Sequence, residues 1–211
     1  MSIKRNICII DYGSGNVRSV FNALEFLNFN IKISNQNNDF ESADTLILPG
    51  VGSFGSAIRN LKSNIDLKSL CGLVEENKKK IIGICVGMQL LYEKGFEFEE
   101  NKGLGWLKGN VEKIDTSNDI KLPHIGWNNV SFSDYGKMHK TYFNDGDAYF
   151  VHSYAVNIKS KGVLEQEIIA TTDYGVKFVS IAGRDNIIGF QFHPEKSQNF
   201  GLKLLNEFII K

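Results

Sequence analysis

Residues 81–91 read IIGICVGMQLL, and the change of period inside this run decides the fold. Ile81, Ile82 and Ile84 are β-branched and suit a buried strand. Met88, Leu90 and Leu91 are helix formers, and they predict a helix that runs on to Gly95. Cys85 stands at the junction, between Gly83 and Gly87. A strand that passes directly into a helix is half of a β-α-β unit.

The same alternation extends outward in both directions. NICIID (6–11) is a short apolar run that breaks at Asp11 and Gly13, as a buried parallel strand does. Val17, Val20, Phe21, Leu24 and Leu27 follow with the spacing of one helix face. NIKIS (30–34) and DTLILPG (44–50) predict two more strands, the second closed by Pro49-Gly50. Ile58, Leu61, Ile65, Leu67 and Leu70 predict helical cover before the strand KKIIGIC (79–85). Such alternation implies a parallel sheet wrapped on both faces, with ligands bound beyond the carboxyl ends of its strands. Cys85 and the loop 49–55 both fall at that edge. After Gly103 the texture changes. AYFVHSYAV (148–156) and KFVSIAG (177–183) are short β-type runs between turn residues, which predicts an antiparallel section. NIIGFQFHPE (186–195) is a further strand, and Leu202, Leu204, Leu205, Phe208 and Ile209 predict a closing helix. No linker or internal repeat interrupts the chain. The expected architecture is α/β: one domain over residues 1–211, with a mostly parallel central sheet flanked by helices and an antiparallel section in the C-terminal half.

Composition narrows the function. Lysine plus arginine and aspartate plus glutamate number 24 each, so no overall charge favours nucleic acid or an anionic membrane. The run Lys78-Lys79-Lys80 reads as a solvated helix end. An apolar content of 42% supports a sizeable core, yet no stretch approaches the roughly 20 apolar residues of a membrane span. The N-terminal apolar run ends at Asp11, too short for a signal peptide. Three scattered cysteines do not make a disulfide framework. These features predict a soluble, cytoplasmic protein.

The chemistry gathers at two places. Gly83-Ile84-Cys85-Val86-Gly87 has the frame of a nucleophile elbow, a tight strand-to-helix turn whose glycines remove Cβ atoms where strand and helix approach. The turn leaves the thiol at a helix N-terminus, where backbone N–H groups favour thiolate and can hold an oxyanion. Cys8 and Cys71 lack that framing and read as structural. A nucleophile needs a base, and a base needs an orienting group. His193-Pro194-Glu195 follows a strand, and an extended chain would bring His193 and Glu195 to one side. Gly13-Ser14-Gly15 has part of a dinucleotide-binding loop, but Arg18 fills the third glycine position. His124, His139 and His152 lack metal-ligand spacing, so neither metal nor cofactor is expected.

Together these motifs are similar to those of the class I glutamine amidotransferases, and the similarity runs nearly end to end. DYGSGN (11–16), LPGVGSFG (48–55), GICVGMQLL (83–91) and GFQFHPEKS (189–197) carry the amidotransferase pattern. LPHIGWN (122–128), YFVHSY (149–154) and ATTDYG (170–175) resemble the glutaminase subunits of imidazole glycerol phosphate synthases. The resemblance implies a flavodoxin-like fold and a Cys85-His193-Glu195 triad that hydrolyses L-glutamine through a thioester. It implies an oxyanion hole from the N–H groups of Val51 and Val86. It further implies glutamine contacts at Gly50, Gly52, Gln89, Ser153 and Tyr154, and a partner-facing surface around Pro123, His124, Trp127 and Asn128. The implied partner is a separate (β/α)8-barrel cyclase/synthase subunit, in a heterodimer, which uses the ammonia to make imidazole glycerol phosphate and an aminoimidazole ribotide. The same residues would equally serve a related glutaminase feeding another synthase, such as one amidating a nucleotide sugar; a different cysteine hydrolase is a second alternative, which a glutaminase assay would separate.

Overall fold

In the computed structural model, which describes residues 4–13, 16–115, 120–134, 136 and 144–210, the predicted alternation is present. The chain runs β1 (Asn6–Ile10), α1 (Val17–Phe26), β2 (Asn30–Ser34), α2 (Asn37–Ser42), β3 (Thr45–Leu48), α3 (Phe54–Asn64), α4 (Leu67–Cys71), β4 (Lys80–Ile84) and α5 (Val86–Leu90). There follow β5 (Lys94–Gly95), β6 (Asn101–Lys102), β7 (Asn110–Lys113), β8 (His124–Phe132), β9 (Gly146–His152), β10 (Tyr154–Ala155), β11 (Ile168–Tyr174), β12 (Val176–Arg184), β13 (Ile187–Phe190) and α6 (Gln198–Ile210). His139, and Ser14 and Gly15 of the first glycine turn, lie outside the described residues. The central sheet has the order β2-β1-β3-β4-β13-β12-β11-β8-β9, and a small second sheet has the order β10-β7-β5-β6. Strands β2, β1, β3, β4 and β13 are parallel, and the ladder turns antiparallel from β13 through β9. The parallel strands are covered on both faces, so β3 and β13 are buried at every residue.

Backbone close approach holds the centre together. A Cβ on Gly87 would lie 1.9 Å from the carbonyl oxygen of Leu48, and one on Gly50 would lie 2.4 Å from the Gly87 nitrogen. The first turn of α5 therefore presses directly on the loop that leaves β3. Inside the elbow, a Cβ on Gly83 would meet the Gly87 oxygen at 2.7 Å. Only hydrogen fits at these positions.

Several local expectations are corrected. The helix expected to reach Gly95 ends at Leu90, because Lys94 and Gly95 pair with Asn110 and Val111 of β7. The Glu93 carboxylate accepts from the Gly109 N–H at 3.1 Å and from Lys108 Nζ at 2.9 Å, fixing that departure. The helical cover predicted over residues 58–70 is two helices, since Ile65 is extended and Asp66 starts α4 by accepting from Ser69 N at 3.2 Å. The lysine run is not uniformly solvated. Lys79 Nζ donates to the Glu41 carbonyl at 2.9 Å and to that of Ala43, and Lys80 opens β4 with its Nζ on the Ile209 carbonyl at 3.2 Å. The run 148–156 divides at Ser153 between the two sheets. Among the described residues, no helix is long and apolar enough to cross a membrane.

The β8–β9 ladder corrects one group of site residues. Successive residues of a strand face opposite sides, so Ile125 and Trp127 point outward, 59% and 50% exposed, while His124 and Asn128 point inward. His124, expected on a partner-facing surface, is buried between the rings of Phe150 and Tyr174, whose centroids lie 4.9 and 4.0 Å away. Its Nδ1 is 3.1 Å from Nε2 of His152, directly across the ladder. Burial lowers the His124 pKa to about 4 and, with the neighbouring histidines, that of His152 to about 3.

Two measurements test this architecture. Gly87→Ala should lower unfolding free energy by about 3 kcal/mol through forced overpacking. Gly72→Ala, where a Cβ meets nothing within 4 Å and the backbone is helical, should be neutral or slightly stabilising; equal urea midpoints for the two variants would contradict the close approach. The histidine pair sets a pH dependence. Its folded pKa values lie below the ordinary 6.5, so below that pH the unfolded chain binds protons that the folded chain refuses. Stability should therefore fall as pH drops from 6.5 toward 4, and an NMR titration should find both rings still neutral at pH 5.

Candidate active site

Cys85 follows β4 and precedes α5 with φ 54° and ψ −113°, a left-handed conformation that L side chains adopt only under constraint. The constraint is visible: Cys85 N donates to the Phe190 carbonyl at 2.7 Å, and its own carbonyl accepts from Gln89 N at 3.1 Å. The strained turn sets the side chain at the carboxyl edge of the sheet, where the elbow reading expects it. Its Sγ lies 3.9 Å from the Val151 carbonyl oxygen.

His193 reaches the same place from β13. The strand ends at Phe190, earlier than expected, and Pro194–Lys196 form a 3-10 turn. His193 and Glu195 therefore meet across a turn rather than along an extended strand, with Nδ1 and Oε1 2.8 Å apart and both side chains buried. His193 N donates to the Tyr149 carbonyl at 3.0 Å, and Ser197 Oγ donates to the His193 carbonyl at 2.7 Å, so the turn is tied to β9. Asn16 holds the same carboxylate oxygen, its Nδ2 donating to Glu195 Oε1 at 2.6 Å. Glu195 occupies Nδ1 and leaves Nε2 for sulfur. Burial opposes a charged imidazole here, but hydrogen bonds to Cys85 and Glu195 outweigh it and raise the His193 pKa to about 10. Cys8 lies in a different environment, where burial pushes its thiol up to about 11 and leaves it inert near neutral pH.

A cavity of about 330 Å³ opens in front of the thiol, and Val51, Gly52, Val86, Gln89, Ser153 and Tyr154 line it together with Cys85 and His193. Gln89 Nε2 donates to the Tyr154 carbonyl at 2.9 Å and to Gln191 Oε1 at 3.2 Å, and Gln191 Nε2 comes within 4.0 Å of Cys85 Sγ. Of the expected glutamine-contacting residues, Gly50 is the one that does not line the cavity; it packs on the elbow instead. Pro123 reaches the cavity, whereas His124, Trp127 and Asn128 do not line it. Sequence reasoning missed Glu97, His152 and Lys196 in the wall, and Asn16 and Gln191 behind it. Lys196 could have been found from its place after His-Pro-Glu. Glu97, whose carboxylate accepts from Phe54 N at 2.8 Å at the start of α3, carries no local signal. Among the described residues, no group of three or more His, Cys, Asp or Glu is placed to hold a metal ion. A thiol paired with a carboxylate-backed imidazole beside a polar pocket suits acyl transfer from a small amide.

Known proteins resemble this chain. Residues 8–211 match the family "Glutamine amidotransferase class-I". Imidazole glycerol phosphate synthase subunit HisH of Aquifex aeolicus is 46% identical over 95% of this chain and 94% of its own length. The protein of the same name from Pelagibacter ubique is 41% identical over 97% of this chain and 99% of its own. A crystal structure of a glutamine amidotransferase matches with a TM-score of 0.74 at 17% identity, covering 97% of this chain and 99% of that one. Another, from Thermotoga maritima, gives 0.60 at 14% identity, with 92% and 77% covered; at such identities the two share the fold. The chain belongs to the class-I glutamine amidotransferase family, with the HisH subunits of imidazole glycerol phosphate synthase among its relatives.

Proposed function

We propose that this chain is the glutaminase subunit of an imidazole glycerol phosphate synthase in histidine biosynthesis, hydrolysing glutamine to glutamate and ammonia. The observation that carries the reading is the convergence of Cys85 and His193 on a cavity of about 330 Å³, with buried Glu195 behind the imidazole. Cys85 sulfur attacks the side-chain amide carbon of glutamine, and the N–H groups of Val51 and Val86 stabilise the oxyanion. His193 protonates the departing ammonia as the C–N bond breaks, leaving a thioester. It then removes a proton from water, which attacks the thioester and releases glutamate and the free thiol. Glu195 keeps Nδ1 protonated and the ring aimed. Gly52, Gln89, Ser153 and Tyr154 hold the substrate, and Gly50 seats the loop that carries Val51.

The chain acts as one domain over residues 1–211, in the cytoplasm, with a (β/α)8-barrel synthase subunit as its partner in a heterodimer. The outward side of the β8–β9 ladder supports a docking surface: Ile125, Trp127 and Val151 expose an apolar strip, and Trp127 packs edge-on against Tyr149 with centroids 5.9 Å apart. Pro123 and Trp127 belong to that surface.

Loss of the nucleophile is the direct test. Cys85→Ala should lower glutamine-dependent activity by about 10⁶-fold, while synthase activity with added ammonium salt persists in the complex with the barrel subunit. Glutamate release near the wild-type rate would overturn the assignment. Coupling is the second test. Gly50 and Gly52 flank Val51, Gly52 at φ 91°, and give the loop freedom to turn the Gly50–Val51 peptide; rotating the Val51 N–H out of the oxyanion position would cost about 10²–10³ in rate. Glutamate release should rise by that order when the partner and its ligand are added to the isolated chain. Equal turnover by the chain alone, with partner, and with partner plus ligand would contradict the coupling.

A further inference from the structure

A directed chain of hydrogen bonds runs from the half-buried surface of β8 to the wall of the cavity. The Tyr154 carbonyl faces His152 Nδ1 at 3.0 Å, and the same oxygen accepts from Gln89 Nε2 at 2.9 Å. A carbonyl only accepts, so His152 Nδ1 carries the proton and its Nε2, in the neutral ring, is an acceptor. That Nε2 lies 3.1 Å from His124 Nδ1, which must donate, leaving His124 Nε2 as an acceptor. The last atom lies 3.3 Å from Asn128 Nδ2. The Asn128 amide has its own anchor: Oδ1 accepts from Asn129 N at 2.8 Å, and Nδ2 also donates to the Asp173 carbonyl at 2.9 Å. Each proton thus has one place, and the direction is fixed at both ends, by the Tyr154 carbonyl and by the Asn128 amide.

We propose that Asn128, His124 and His152 are positioning residues, which fix the Tyr154 carbonyl and through it the Gln89 side chain at the glutamine cavity. The inference rests on the reading of that cavity as the glutamine site. Two buried rings that merely filled the core would be satisfied with the chain running either way. Here the donor end meets a carbonyl that has a second duty, because the Gln89 amide it holds stands in the cavity wall and also reaches Gln191 beside Cys85.

Asn128→Asp tests this with no change of shape. The aspartate still accepts from Asn129 N, but its other oxygen confronts His124 Nε2 and the Asp173 carbonyl, where two donated hydrogens stood. Reversing the chain to satisfy His124 puts a lone pair of His152 Nδ1 against the Tyr154 oxygen. In the complex with the barrel subunit, the glutamine KM of Asn128→Asp should rise about tenfold, the loss of roughly one hydrogen bond, with a smaller change in kcat. Adding His152→Asn should recover most of that loss, because an asparagine amide nitrogen can stand where Nδ1 stood and donates whatever the direction of the chain. The second measurement uses the wild-type chain: 15N NMR of the ring nitrogens should show both histidines protonated at Nδ1 and bare at Nε2. A KM within twofold of wild type for Asn128→Asp, no recovery in the double variant, or an Nε2 proton on His152 in the wild-type chain would each overturn the proposal. Absence of glutamine turnover by the wild-type complex would overturn the glutaminase reading and this assignment with it, while the tautomer pattern would stand by itself.

Discussion

Between the carbonyl oxygen of Leu48 and the α-carbon of Gly87 there is no room for a methyl group, and this contact sets the distances on which the active site depends. It brings the start of α5 against the loop after β3, so that Val51 and Val86 border one cavity beside Cys85. Parallel neighbours β3 and β4 make the approach possible, because adjacent parallel strands deliver both chain ends to one edge of the sheet. Strain at Cys85 follows from the same geometry. A residue pinned between a strand hydrogen bond and a helix start adopts a positive φ, and the packing around it absorbs the cost.

The electrostatics of the triad are a second consequence of burial. Taken out of water, an imidazole ordinarily gives up its proton. His193 keeps one because a carboxylate lies on Nδ1 and sulfur lies beyond the other nitrogen. His152, in the same wall, has no carboxylate among its hydrogen-bond partners and stays neutral. Two histidines a short way apart therefore hold opposite charge states, which suits one to proton transfer and the other to holding a carbonyl in place. Asn16 shows how far this support extends, since it reaches the Glu195 carboxylate from the start of α1, which follows β1, three places from β13 in the sheet.

The antiparallel half has a different task from the parallel half. It presents β9 to the active site, where the Tyr149 carbonyl anchors His193 and the Val151 carbonyl approaches the thiol. Its outer face offers Ile125 and Trp127 to solvent, and its inner face carries the polar chain through His124. One ladder thus joins an exposed apolar strip to the cavity wall.

What the sequence by itself determined was whatever depends on near neighbours. The β-branched run before Cys85, the two glycines around it, and the His-Pro-Glu triplet accounted for the elbow and the parallel strands and pointed to Cys85 as the proposed nucleophile and His193 as the proposed base, since period and turn chemistry act over a few residues. Resemblance pointed to Gln89, Ser153 and Tyr154 as glutamine contacts, and all three line the cavity. Tertiary structure decided the rest. The α5 helix stops at Leu90 because a distant strand, β7, takes Lys94 and Gly95. His124 points inward and Trp127 outward because the register of β8 on β9 assigns their faces, and a slip of one residue would exchange them. Asn16 and Gln191 join the site across 179 and 106 residues of chain. No local pattern encodes a contact at such separation; it exists because folding brings the two segments together.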